Sequence, residues 1–190
     1  MSVHHPSRWR RGLTVGVFLA ELAHLAWDDR HGGVPSHHLL NNAAWPAISN
    51  WWGALLLPVL TWVLLGWIIP RVADPAADPA AGVSRRRGIV ALFAGAVLFG
   101  ILLSVAFTQG YDTLAATLFL GMLASTLVVP LYRAEWLLGF VLGMAVTFGV
   151  VLPTVIGAAV AAVAAVIQLV VRPWLVRLWT HVTRPGSRPA

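Results

Sequence analysis

The sequence contains several apolar stretches, most of them close to the length of a helix that crosses a membrane. A helix rises about 1.5 Å per residue, so about 20 residues cross a hydrocarbon core of about 30 Å. These stretches occupy most of the 190 residues, and the mean hydropathy is +0.78. Only 11% of the residues are charged, against about 25% in an ordinary soluble domain, and there is no Cys. A soluble globule and a disulfide scaffold are therefore excluded.

The apolar stretches predict an all-α fold, a polytopic transmembrane helical bundle of about six spans. The predicted spans are 12–31, 47–69, 88–108, 113–131, 136–152 and 154–171. The last two come from one apolar run that is too long for a single crossing, and Pro153 is the expected break. A single long kinked helix in this run would leave five spans. We therefore expect one transmembrane domain, 1–171, with a cytoplasmic loop at 70–87 and a basic interfacial tail at 172–190.

The arginines predict the orientation of the chain. All thirteen basic residues are Arg, and all but Arg30 lie in segments that six spans place on one side of a membrane. This is the positive-inside pattern, so we expect both termini in the cytoplasm of a bacterial-type inner membrane. The net charge of +6 is thus an orientation signal. We expect no nucleic-acid partner, because aromatic residues do not interleave with the arginines as they do in stacking platforms.

Small residues recur every fourth position in the later spans, which lets the backbones of neighbouring helices approach closely in a bilayer. The pairs are Gly121 and Ser125, Gly139 and Gly143, and Gly157 and Ala161. We expect them to pack helices within one bundle. The scattered Ser and Thr residues and Gln168 are expected to bond within their own helices.

One window, 21–42, gathers ionisable side chains as no other part of the chain does. Because successive helical residues are about 100° apart, four of them share one face of the first span: Glu21, His24, Asp28 and His31. Counting from Gly12 places Glu21 and His24 near the middle of the membrane. An ionisable residue is costly at that depth and is by default a candidate functional residue.

This histidine cluster favours a metal-binding site. Glu-x-x-His on an inward-facing helix is the spacing of carboxylate-bridged metal bundles, and imidazole with carboxylate also suits Zn²⁺. The later spans lack internal Glu and Asp, so a mononuclear Zn or Fe site near the outer surface fits better than a di-iron centre. The expected metal ligands are His24, His31, His37 and His38. The expected catalytic groups are Glu21 and Asp28, each as ligand or general base, and the residues expected to orient the histidines are Asn41, Asn50, Tyr111 and Asp112.

Several functions are compatible with this pattern. The first is a metal-dependent membrane enzyme, a hydrolase or an oxidoreductase, whose lipid-like substrate arrives laterally from the bilayer. The second is a small proton- or cation-coupled transporter or channel that uses Glu21 and His24. The third is a non-catalytic accessory subunit that docks another membrane protein, and a homo-oligomer is also compatible. The window could also be purely structural, with Glu21 protonated and the remaining groups solvated.

Overall fold

The computed structural model describes residues 6–38, 47–74 and 78–183, which form a bundle of helices with one small strand pair between the first two. The helices are α1 (Pro6–Arg30), α2 (Gly53–Ala73), α3 (Pro79–Thr108), α4 (Asp112–Ser125), α5 (Ala134–Phe148), α6 (Val151–Ala165) and α7 (Arg172–Thr183). The strands are β1 (Ser36–His38) and β2 (Ala47–Ser49), which pair antiparallel. A single 3₁₀ turn, Asn50–Trp52, joins β2 to α2.

Three helical stretches are long and apolar enough to cross a membrane: Asn50–Ala73, Pro79–Thr108 and Val151–Arg177. The helices α4 and α5 are apolar but shorter. The predicted helical membrane bundle is therefore confirmed. The helix α1 has 25 residues, enough to cross, but it carries Arg10, Arg11, Glu21 and Asp28, so its crossing and the count of six spans stay predictions.

The long apolar run near the C-terminus forms two helices, as predicted, but it breaks one turn earlier than expected. Helix α5 ends at Phe148, and Gly149 has a φ of 67°, which glycine adopts without the steric cost that other residues bear. Pro153 lies in the first turn of α6, where its missing N–H has no helical partner to lose. The chain then continues from α6 through a π-helical turn, Val166–Val171, into α7, so the predicted tail begins as part of this helix. Residues 184–190 of that tail lie outside the described part.

The segment predicted as a loop, 70–87, is helical over most of its length. Helix α2 continues to Ala73, and α3 already begins at Pro79. The Asp78 side chain accepts a hydrogen bond from the backbone N–H of Ala80 at 2.9 Å, which caps the helix. Proline at the first helical position favours the same start.

The closest helix packing joins α3 to α5 through the predicted small residues. A methyl group on Gly143 would collide with the carbonyl oxygen of Val97, and one on Gly139 would collide with that of Phe93. Gly100 of α3 faces the same contact. By contrast, Gly121 has nothing within 4 Å of its missing Cβ, so its pair with Ser125 makes no such contact here.

Polar side chains also join helices, including one that was expected to bond within its own helix. The side-chain amide of Gln168 donates to the carbonyl oxygens of Thr126 and Val129, at 2.7 and 2.6 Å. Helix α4 ends at Ser125, so carbonyls just beyond it lack regular helical partners. The expectation that Gln168 bonds within its own helix is therefore wrong, because its amide N–H groups donate to the unpaired carbonyls that follow α4.

Candidate functional site

The carboxylate of Glu21 lies between α1, the start of α2 and the start of α6. The side chain is 6% exposed, and its carboxyl group occupies the space that a Cβ on Gly53 would need. A methyl group of Val150 lies on the other side of that space. The absence of a side chain at Gly53 therefore creates the room for Glu21.

The contact with Gly53 fixes the level of Glu21 relative to α2. Glu21 lies level with Gly53, the first residue of α2, rather than with the middle of that helix. Further along the pair, Arg10 donates to the carbonyl oxygen of Trp62 at 2.8 Å. The helix α1 therefore runs antiparallel to α2 and extends beyond its start, which brings Glu21 to the predicted outer end of the bundle.

His24 lies one turn further along α1 and pairs with Asp28. The Nε2 atom of His24 is 3.6 Å from Oδ2 of Asp28, and both side chains are about 20% exposed. The other ring nitrogen, Nδ1, is buried and has no hydrogen-bond partner among the described residues. His24 and Asp28 are also the groups whose charges act on Glu21. These three residues thus form a column from a buried carboxylate to a partly exposed one.

His31 continues the same helical face in sequence, but its ring is turned to Trp27. The two rings stack with their centroids 3.9 Å apart. The Nδ1–H group of His31 donates to the carbonyl oxygen of Trp27 at 2.8 Å, and the residue is exposed. The structure does not bring His31 to His24, because its stacking partner lies one turn back on the same helix.

The backbone of the strand pair returns the chain to the start of α2. His37 of β1 pairs with Ile48 of β2, and the N–H of Asn50 donates to the carbonyl oxygen of Pro35 at 3.0 Å. The side chains of His37 and His38 lie outside the described part, as does Asn41.

Among the predicted orienting residues that the structure describes, Asn50 lies within this region. It is 6% exposed, and its side-chain amide occupies the space next to Gly149, between α5 and α6. Tyr111 lies exposed in the turn between α3 and α4, and Asp112 lies exposed as the first residue of α4. No hydrogen bond or ion pair in the described ranges links either of them to Glu21 or His24.

Two glycines of the site were missed by sequence reasoning. Gly53 and Gly149 carry no functional atoms, yet they provide the spaces that Glu21 and Asn50 fill. A weak signal was available, since Gly53 follows two tryptophans at the start of a span. Nothing in the sequence pairs it with a carboxylate on α1.

The described side chains do not by themselves complete a metal site. Within residues 6–36, 47–74 and 78–180, no group of three or more His, Asp or Glu could hold an ion. The column on α1 supplies Glu21 and His24, with Asp28 paired to the imidazole. Any third ligand has to come from another segment.

At the opposite end of the bundle, Arg71 and Glu135 form an ion pair that sequence reasoning also missed. Both guanidinium Nη atoms of Arg71 donate to the Glu135 carboxylate, at 2.7 and 3.0 Å, and Glu135 is fully buried. Arg133 is 3.9 Å from the same carboxylate. The pair ties the end of α2 to the start of α5 and belongs to the framework rather than to the site.

The fold defines a class of protein, a helical bundle with helices fit to cross a membrane. Comparisons of the chain with protein-family models, curated proteins and solved structures found no match. The function is therefore argued from the site alone.

Proposed function

We propose that the protein is a metal-dependent enzyme of the membrane, with a mononuclear Zn or Fe site at the outer end of the bundle. The observation that carries this proposal is the arrangement of His24. One ring nitrogen faces a carboxylate, Asp28, and the other is buried and finds no hydrogen-bond partner within the described part of the chain. Metal-binding histidines typically bind the ion through one nitrogen and donate the other N–H to a carboxylate.

The ligand set is proposed to combine α1 with the strand that follows it. His24 supplies its buried nitrogen, and β1 supplies one imidazole, from His37 or His38, because successive residues of a strand point to opposite faces. Three protein ligands with an open position for water are typical of catalytic zinc. His31 is left out of this set because its ring is engaged with Trp27.

Glu21 is proposed as the general base or as an additional ligand. It lies one turn inward from His24 and is nearly excluded from solvent, whereas Asp28 orients the imidazole. A metal ion lowers the pKa of bound water, and a carboxylate can then accept its proton during attack on an electrophilic substrate atom. A lipid-like substrate would reach this end of the bundle from the surrounding bilayer.

Metal analysis of the purified full-length protein tests the proposal. We expect about one ion per chain in the wild type, as in mononuclear catalytic sites. His24→Ala removes one proposed ligand, and His37→Ala combined with His38→Ala removes both candidate imidazoles of β1, so the metal content of each variant should fall to background. His31→Ala is the matched control, since it is the same change at the end of α1 and should leave the metal content unchanged.

Two results would contradict a metal enzyme. Absence of stoichiometric metal from the wild type, after purification without chelators, would overturn the proposal. Proton or cation flux in liposomes that needs no metal and is lost in Glu21→Gln would instead support the transporter. The burial of Glu21 between three segments is the observation that favours that second candidate.

A further inference from the structure

A large apolar groove lies at the end of the bundle opposite the His24 column. Residues of α1, α2, α3 and α5 line it, and its volume is about 870 Å³. This is within the range of about 300–1,000 Å³ that small-molecule sites occupy. Apolar side chains from all four helices line it, among them Leu13, Leu65, Phe93 and Leu138.

The mouth of the groove is positively charged. Arg86 and Glu135 lie at this end, and the Glu135 carboxylate is already paired with Arg71 and faces Arg133. Arg71 therefore neutralises Glu135, and Arg86 is the charged lining residue that has no carboxylate partner in the described ranges. An apolar groove with a basic mouth matches a molecule that has hydrocarbon chains and an anionic head.

Arg86 has the donors to hold such a head group. Its Nε–H donates to the carbonyl oxygen of Val72 at 2.9 Å, which holds the side chain at the junction of α2 and α3. Its two Nη groups make no hydrogen bond to any residue in the described ranges. A guanidinium group held in this way can bind a phosphate through two parallel hydrogen bonds.

We infer that the groove binds one anionic phospholipid, with its acyl chains between α1 and α3 and its phosphate at Arg86. Basic pockets between transmembrane helices on the cytoplasmic side are typical sites for anionic head groups. Trp9, which also lines the groove, is 63% exposed and suits the membrane interface on this side. The site is separate from the proposed metal site, so each can fail without the other.

Native mass spectrometry of the full-length protein in detergent tests this inference, with phosphatidylglycerol and phosphatidylcholine added at equal concentration. We expect one bound phosphatidylglycerol per chain and weaker binding of phosphatidylcholine. A surface charge contributes about 1 kcal/mol to anionic-lipid binding, so Arg86→Gln should lower the phosphatidylglycerol affinity about fivefold. Arg87→Gln is the matched control, because Arg87 is exposed and does not line the groove. This variant should bind both lipids with the affinity of the wild type.

A second variant tests the groove without touching its charge. Leu13→Trp adds bulk to a wall residue that is 47% exposed, so it should reduce binding of both lipids while leaving the bundle folded. Equal affinity for the two lipids in the wild type would overturn the inference. Equal losses of phosphatidylglycerol affinity in Arg86→Gln and Arg87→Gln would also overturn it. So would displacement of the lipid by inorganic phosphate, or a lipid-free dimer that covers the groove.

Discussion

At the scale of single residues, the two buried carboxylates are balanced in different ways. Glu135 has no exposed surface and is neutralised by the bidentate contact with Arg71, whose own side chain is 36% exposed. Glu21 lies in a space made by Gly53 and faces an imidazole one turn away. The first arrangement is a closed ion pair that stabilises the bundle. The second leaves a carboxylate one helical turn from an imidazole whose Nδ1 finds no partner among the residues that the structure describes.

The asymmetry in the Arg71–Glu135 pair predicts unequal effects on stability. Arg71→Met leaves a fully buried carboxylate without its main partner, and breaking a buried pair costs about 3–5 kcal/mol. Glu135→Gln leaves a guanidinium group that can turn to solvent, so it should destabilise less. Thermal unfolding of the purified protein in detergent should therefore give the lower Tm for Arg71→Met.

Two further variants control this comparison. Arg71→Met combined with Glu135→Gln removes both charges and should recover part of the lost stability. Arg87→Met replaces an exposed arginine on α3 and should leave the Tm within a few degrees of the wild type. A larger loss in Glu135→Gln than in Arg71→Met would show that the carboxylate is not the buried member of the pair in solution.

At the scale of secondary-structure elements, glycine spacing sets which helices come closest. Gly139 and Gly143 of α5 face α3, where carbonyl oxygens of Phe93 and Val97 fill the space that side chains would need. In a bilayer, apolar side chains gain little by leaving lipid, so close backbone approach is a main source of helix association. The contact between α3 and α5 is therefore expected to dominate the stability of the bundle.

One added methyl group tests this contact. Gly143→Ala places a Cβ against the Val97 carbonyl, so the helices must separate, and overpacking of this kind costs about 1–3 kcal/mol. Gly121→Ala adds the same group within α4, where nothing lies within 4 Å, and should leave the protein as stable or slightly more stable. Chemical unfolding in mixed micelles measures both, and equal stability of the two variants would contradict the proposed role of the contact.

At the scale of the whole molecule, α1 and α5 run antiparallel to α2, whereas α5 runs parallel to α3, since Gly139 meets Phe93 and Gly143 meets Val97. Glu21 lies beside the first residue of α2, and Arg10 lies beside Trp62 further along, so α1 and α2 are antiparallel. Arg71, near the end of α2, pairs with Glu135, near the start of α5. Neither α1 nor α5 is among the three helical stretches that are long and apolar enough to cross a membrane. Their positions in the bundle therefore depend on contacts with the other helices.

The predicted orientation can be measured with introduced thiols, because the chain has no Cys. Ser36→Cys and Ser84→Cys place exposed residues at opposite ends of the bundle. With the arginines inside, a membrane-impermeant maleimide should label Ser36→Cys in intact spheroplasts, and Ser84→Cys only after permeabilisation. The reverse pattern would place the arginines outside and would move the His24 column to the cytoplasmic side.

Local signals in the sequence explain how much of the fold could be predicted. The apolar length of each stretch predicts a membrane bundle, and the four-residue spacing of Gly139 and Gly143 predicts a close helix contact. The break between α5 and α6 was assigned to Pro153 because proline opposes a helix interior, yet the chain turns at Gly149. The start of α3 was placed too late, because the cap formed by Asp78 was taken for part of a loop.

The sequence predicted one part of the candidate site correctly and missed another part. Residue spacing alone puts Glu21, His24 and Asp28 on one face of α1, because helical periodicity is a local property. It also put His31 there, since a periodic pattern does not show that a ring stacks on its own helix. Whether the residues act as metal ligands remains a prediction.

Contacts between distant parts of the chain were decided only by the tertiary structure. The space that Gly53 leaves for Glu21, the amide of Asn50 beside Gly149 and the pair of Arg71 with Glu135 each join residues far apart in sequence. These contacts depend on the axial position of one helix relative to another. Counting residues from a membrane edge does not give that relative position. The sequence by itself therefore determined that the helices are apolar enough for a bilayer and that α1 has a polar face, because both are local properties of the chain. Helix packing determined the level of that face along α2 and the residues that it contacts.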